Sequence, residues 1–362
     1  MKKLKVLAIS DLHLGEPEGL LNDKGKNIIG ITVDKIFELS KGDGEFDDGI
    51  EELILIGDIA DLSESTKEEA YTNTKTFLTA LLKKVQINKV IYISGNHDHH
   101  LWVEMLKAYK GKDCYKECIP KTGIIIKKPE LLMEKCFPAD YKGEVEAHYP
   151  YYLLNIGNSY FLFDHGHLFS NLLNKWAGAV KSLEEMEDKT YEFMEILWFK
   201  GDESWWIWLN NMREKLYDWG RWISDRSLHP SRGASFKEDS TPVYDAGLRD
   251  NIIKYLGTLI GLDNSKMDDF HLIFGHTHYG GRVLRDDRKI RLNGRFITLW
   301  NTGGWLVPSE IFSPDAYLFY IEHTSNGIIP QAYKLVAKKE NEEGDYDRAI
   351  LGEVVKNIGK TS

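Results

Sequence analysis

One local event, repeated along the chain, narrows the fold more than anything else. An apolar run long enough for a buried strand empties at once into a carboxylate, an amide or an imidazole. This happens at residues 5–10 before Asp11-Leu12-His13, at 52–56 before Gly57-Asp58-Ile59-Ala60-Asp61, and at 90–93 before Gly95-Asn96-His97-Asp98. It recurs at 159–163 before Asp164-His165-Gly166-His167, and at 270–274 before Gly275-His276-Thr277-His278. Helical patterns over 32–39 and 67–84 separate the first three runs, which makes them β-α units whose carboxyl-end loops open on one crevice. Asp11, His13, Asp58, Asn96 and His97 are therefore expected to meet in space. In extended backbone Asp11 and His13 point to the same side and can grip one ion.

The rest of the chain adds turns and one segment of different character. Gly157-Asn158, Asn293-Gly294 and Asn326-Gly327 each sit between apolar runs, so the second half of the sheet should be rich in hairpins. Residues 101–150 show no clear period, and the charged tail 337–362 is expected to be partly disordered. Between His167 and Phe270 the composition changes, with seven of the ten tryptophans falling there. Apolar residues recur at helical spacing through Leu183, Met186 and Met194, through Trp205, Trp208, Met212 and Trp219, and through Leu248, Ile252, Tyr255 and Leu259. Residues 168–269 thus read as a helical insertion that interrupts a domain made of 1–167 and 270–336.

Composition excludes several classes. No run approaches the ~18 apolar residues of a membrane span. The opening apolar run is too short for a signal-peptide core, so a cytoplasmic protein is expected. A net charge of −10 opposes general binding to a nucleic-acid backbone. Cys114, Cys118 and Cys136 lack Cys-x-x-Cys spacing and are expected to be reduced and inert.

The strand-end residues are too many for one four-coordinate ion. Divided between two ions with Asp58 as the bridge, they leave positions open for water and substrate. Clustered carboxylates also repel one another unless cations neutralise them. In chain order, Asp11-x-His13, Gly57-Asp58-x-x-Asp61, Gly95-Asn96-His97-Asp98, a lone His165 and Gly275-His276-x-His278 resemble the five blocks of the calcineurin-like metallophosphoesterases. The resemblance implies an α/β fold, a four-layer α-β-β-α sandwich with the helical insertion added to it, and a dinuclear metal centre. It implies that Asp11, His13 and His278 hold one metal, that Asn96, His165 and His276 hold the other, and that Asp58 bridges them. It also implies hydrolysis of a phosphodiester, pyrophosphate or phosphomonoester by a metal-bridging hydroxide, with His97 protonating the leaving oxygen and Asp98 holding His97 in place. Asp61 would steady His13 through its other ring nitrogen. Such mixed ligands suit Mn²⁺, Fe²⁺ or Zn²⁺, with Mn²⁺ the first expectation.

Two departures narrow the reading. Purple acid phosphatases have a tyrosine where this chain has Asp61, and the lipid A pathway hydrolase that cleaves a UDP-sugar has an arginine where this chain has His97. Neither a ferric-tyrosinate centre nor that substrate is expected. His99, His100, His148, His167, His229, His271 and His323 are expected to be structural. Two alternatives stay open: a nuclease of the double-strand-break repair type, and a non-catalytic metal-binding scaffold. The insertion is expected to cap the crevice, with Arg221, Arg226 and Arg232 able to meet a phosphate; its aromatic surface would otherwise serve a homodimer.

Overall fold

The computed structural model describes residues 4–15, 19, 21, 28–41, 49–62, 65–111, 123–169, 252–253, 255–256, 269–276, 281–282, 290–292, 295–305, 316–324, 327–339 and 346–355. The chain first alternates strand and helix: β1 (Leu4–Ile9), α1 (Ile28–Ser40), β2 (Ile50–Ile56), α2 (Lys67–Lys84), β3 (Ile87–Ile93) and α3 (His99–Lys110). β4 (Ile124–Lys127), α4 (Glu130–Cys136), β5 (Glu144–Tyr149), β6 (Tyr151–Ile156) and β7 (Ser159–Asp164) follow. Later in the chain come β8 (Asp269–Phe274), β9 (Gly281–Arg282), β10 (Ile290–Leu292), β11 (Arg295–Asn301), β12 (Tyr317–Thr324), β13 (Gly327–Lys339) and β14 (Tyr346–Val355).

Two sheets result. The first runs β14-β13-β12-β1-β2-β3-β5-β4, with β1, β2, β3 and β5 parallel and β12 and β4 antiparallel to their neighbours. The second runs β10-β11-β8-β7-β6, with β9 also on β11; β7, β8 and β11 are parallel. Alternation along the strands sends Val6, Ala8, Ile54, Ile56, Ile91 and Ile93 of the first sheet against Phe161, Phe163, Ile273 and Trp300 of the second. The other face of the first sheet packs Leu7, Ile9, Leu53, Leu55 and Val90 against helix residues such as Phe77, Leu81, Trp102 and Leu106. The outer face of the second sheet, with Leu162, Leu272 and Phe274, is covered by Leu168, Ile252, Tyr255 and Leu256. Among the described residues no helix is long and apolar enough to cross a membrane.

α2 spans the predicted 67–84 because both its ends are written in the sequence. The Thr66 side chain accepts the Glu69 N–H at 3.3 Å, Glu68 and Glu69 favour the amino end of the helix dipole, and Lys83 and Lys84 the carboxyl end. α1 is longer than the predicted 32–39. All three predicted hairpins form, as β6-β7, β10-β11 and β12-β13.

The stretch 101–150, which shows no period in the sequence, holds α3, β4, α4 and β5, and β5 extends the parallel sheet. Its strand was illegible because Glu146 and His148 stand on the face between the sheets, where an apolar pair would be expected. They are accommodated by an ion pair from Lys89 (2.9 Å) and a Glu146–His148 bond (2.9 Å). Within the tail, β14 pairs along β13 from Tyr346 to Val355. Charge clusters at 338–348, whereas residues 349–355 are mostly apolar and can extend the ladder. Of residues 168–269, Leu168 and Phe169 end a short 3-10 turn, Asp269 opens β8, and Ile252, Ile253, Tyr255 and Leu256 are helical, in agreement with the third predicted stripe; the first two predicted helices lie outside the described residues.

Phe163 is fully buried between the sheets, beside Tyr152 and Phe319 at ring centroids 6.2 Å away. Phe163→Ala should lower the unfolding free energy by roughly 3–5 kcal/mol. Urea denaturation will check this, and a loss under ~1 kcal/mol would contradict a tightly packed inter-sheet core.

Candidate metal centre

Strand pairing runs on past the ends of β1 and β2. The Asp11 N–H donates to Gly57 O (3.0 Å), the His13 N–H to Asp58 O (2.9 Å) and the Leu14 N–H to Ile59 O (2.9 Å), so the two loops lie side by side. In the second sheet the Gly275 N–H donates to His165 O (3.1 Å) and the Thr302 N–H to Phe274 O (2.8 Å). Several of the converging side chains stand on left-handed backbone. Of the five non-glycine residues with positive φ among those described, four are Asp11 (51°), His13 (46°), Asp58 (51°) and His276 (63°). A Cβ makes that region unfavourable, and it persists only where the surroundings over-determine it, most often at functional sites.

Asp58 stands at the centre. Its Oδ2 lies 3.2 Å from His165 Nε2 and 4.0 Å from His13 Nε2, and its Oδ1 accepts the His97 N–H at 2.8 Å. Two groups of ligand-capable atoms form, one of His13, Asp58 and His97 and one of Asp58, His165 and His276, each within 4.8 Å of one another. Asp58 is common to both. Asn96 joins the second group, with Oδ1 3.1 Å from His165 Nε2. His165 Nδ1 donates to Ile56 O at 3.0 Å, which leaves Nε2 aimed at Asp58. The Asp11 carboxylate lies in neither group; it accepts the His276 N–H (2.9 and 3.0 Å) and the Ser10 hydroxyl. His278 lies outside the described residues.

Asp61 takes the Nδ1–H of both His13 (2.8 Å) and His97 (3.0 Å) on a single oxygen, Oδ2. The first of these bonds was expected. The second corrects the sequence reading, because Asp98 does not hold His97. Asp98 accepts the N–H of Gly95 (2.6 Å) and of Ile59 (3.0 Å) and the Ser94 hydroxyl (3.3 Å), lashing the β3 loop to the β2 loop. Its short side chain curls back onto the turn that carries it, as Asp does where backbone N–H groups are within reach.

Burial alone would raise the pKa of Asp58, but the His165, His97 and His13 imidazoles hold it well below the usual carboxylate range. Asp61 is likewise held down against its burial by His97 and His13. Burial opposes protonation of His165, and Asp58, followed by Asp11, overrides it and pushes the ring up to about 10. Positive charge is thus favoured beside these buried carboxylates, which is the service that cations would perform. Carboxylate, imidazole and amide donors converging from two sides on one bridging position fit a pair of divalent ions.

Some supporting residues were missed from the sequence. Asn301 and Thr302, just past β11, tie the site together: Thr302 and Ser10 hydroxyls bond at 2.5 Å, Asn301 Nδ2 donates to Gly275 O (3.4 Å), and the Trp305 N–H donates to Asp11 O (3.0 Å). The same signal was present, an apolar run emptying into Asn-Thr-Gly-Gly, but without an imidazole or carboxylate to mark it. His167 is buried beside the centre, 5.4 Å from the His165 ring, in neither group. Burial and the neighbouring histidines hold its pKa well below the usual value. His271 is structural as expected: its Nδ1 accepts from Trp300 Nε1 (3.1 Å), so its Nε2–H donates to Asp269 (3.0 Å).

The sequence model of the calcineurin-like phosphoesterase family matches residues 4–280. No curated protein matches the chain. Among solved structures, it is similar to a single mutant of Vps29 from Entamoeba histolytica at 13% identity and TM-score 0.30, covering 98% of this chain and 99% of that one. It is similar to Yfce, a phosphoesterase from E. coli, at 10% identity and TM-score 0.32, covering 96% and 99%. It is also similar to GAP50, the anchor in the inner membrane complex of Plasmodium, at 12% identity and TM-score 0.37, covering 98% and 89%. Likenesses of that size carry no argument about activity or partners.

Gly95 packs its backbone against Asp58, so that a Cβ there would overlap the Asp58 carboxylate and its N–H. Gly95→Ala should therefore fold with its bridge displaced and lose metal uptake, measured as ions retained per chain after gel filtration; normal uptake would refute the close-approach account. In metal-free protein, His165 has a folded pKa above its unfolded ~6.5, so its stabilising contribution is full below that value and lost as pH rises through about 10. Thermal melts in chelator should fall over that window, and His165→Asn should flatten the fall.

Proposed function

Because the chain belongs to the calcineurin-like phosphoesterase family, we propose that it is a hydrolase of phosphoric esters that works with two divalent metal ions. The observation that carries this reading is the pair of ligand groups sharing Asp58, with four of the candidate ligands in left-handed backbone. On this proposal Asp11, His13 and His278 serve one ion, Asn96, His165 and His276 the other, and Asp58 both. Bound ions would supply Lewis acidity toward the phosphoryl oxygens and lower the pKa of water at the site. Mn²⁺ is the proposed ion, with Fe²⁺ or Zn²⁺ fitting the same donors.

The chain's own residues do the rest. Asn96, His97 and His276 are only half-buried, so a phosphoryl group would meet them first, while Asp58 and His165 are buried beneath. His97 is the proposed general acid. Its Nδ1–H is fixed on Asp61, so Nε2 is the nitrogen that carries a proton to the leaving oxygen. The substrate would be a phosphodiester, a pyrophosphate or a phosphomonoester. The inserted segment 168–269 leaves the chain after His165 and returns before His276, a placement that supports its role as a cap that selects among them.

Hydrolysis of an aryl phosphodiester should require Mn²⁺ and stop on chelation. His97→Ala should keep its metals and lose roughly 10²–10⁴-fold in rate, with a smaller loss for leaving groups of low pKa that need no proton. Equal losses for good and poor leaving groups would remove His97 from the acid role, and a chain inactive on every such ester with two ions bound would remove the hydrolase reading.

A further inference from the structure

We propose that Tyr255, at the far end of the inserted segment, is a positioning residue for the metal ligand His165, acting through Asp164. The inference rests on the dinuclear reading above and goes beyond it, by giving the insertion a mechanical hold on one of the two metal positions.

Asp164 is the last residue of β7 and immediately precedes His165, and its side chain is fully buried. A carboxylate taken out of water must find donors. It finds two. The Gly166 N–H donates to Oδ1 at 2.7 Å, so the side chain reaches over His165 and clasps the peptide on its far side. The Tyr255 hydroxyl donates to Oδ2. Tyr255 is itself set by packing, since Ile252, Tyr255 and Leu256 are buried with Leu162, Leu168 and Phe274 on the outer face of the second sheet. The ring of His165 is then fixed from the inside by Nδ1 donating to Ile56 O, and its backbone from the outside by the Asp164 clasp.

Without the Tyr255 hydroxyl, one oxygen of a buried carboxylate loses a donor, and the clasp must turn to recover one. The effect is local to one ion. His165 belongs with Asp58 and His276, whereas His13 is held by Asp61 on the other side. Groups that hydrogen-bond a metal ligand directly typically govern affinity by about 10–100-fold, and Tyr255 acts one bond further out, so its effect should be smaller.

The test is Mn²⁺ binding to the full chain by calorimetry, with the thermal midpoint of the metal-free protein measured alongside. Wild type should take up two ions. Tyr255→Phe should weaken one binding step by up to roughly 10-fold and leave the other unchanged. Asp164→Asn, which keeps an acceptor for Gly166, should weaken the same step by less. Ile252→Val trims the packing of the same segment without touching the hydroxyl; it should lower the thermal midpoint and leave both steps as they are. Tyr255→Phe binding both ions like wild type overturns the inference, as does a loss shared equally by both steps in Tyr255→Phe and Ile252→Val. A wild-type chain that takes up fewer than two ions overturns the dinuclear reading itself, and this inference with it.

Discussion

The structure depends on a carboxylate that has been taken out of water. Asp58 is 1% exposed and sits where the loops of both sheets converge. Burying an ion is tolerable only if opposite charge and donors surround it, and nearly every feature of the crevice serves that need. Imidazoles come from three different strand ends, the His97 N–H reaches Oδ1, and Gly95 removes the Cβ that would stand in the way. The two sheets are joined chemically at this point as well as by apolar packing. His165 of the second sheet touches both Asp58 and Ile56 of the first.

Much of this was legible in the sequence because strand and ligand are adjacent in it. A buried parallel strand must be apolar on both faces, and its loop must carry the chemistry, so Leu53 to Ile56 followed by Gly57-Asp58 announces both at once. The ends of α2 were readable for a similar reason, since Thr66 and the flanking charges act on their own helix. Hairpin turns obey local rules, and the strands on either side of all three Gly-Asn or Asn-Gly pairs are partners.

Long-range partnership was what the sequence hid. β5 carries Glu146 and His148 on the face between the sheets, and nothing nearby announces that Lys89 from another strand will meet them. The partner of His97 was misassigned on the same ground. Asp98 is its neighbour in sequence, but Asp98 is spent on the N–H groups of Gly95 and Ile59, and Asp61 arrives from 36 residues away. The suture by Asn301 and Thr302 went unseen because hydroxyl and amide side chains are common in loops, and only the fold brings them against Ser10 and Gly275.

The shared oxygen of Asp61 has a consequence for how such a site can change over generations. One atom orients a candidate ligand, His13, and the proposed acid, His97, so neither ring can be retuned through that atom without disturbing the other. Variation at Asp61 would strike grip on the ion and delivery of the proton in a single event, and no lone compensating substitution at either ring would restore both. The pair is inherited as a block. A lineage exploring new chemistry on this scaffold would have to do so elsewhere, while this hinge of two functions stays fixed.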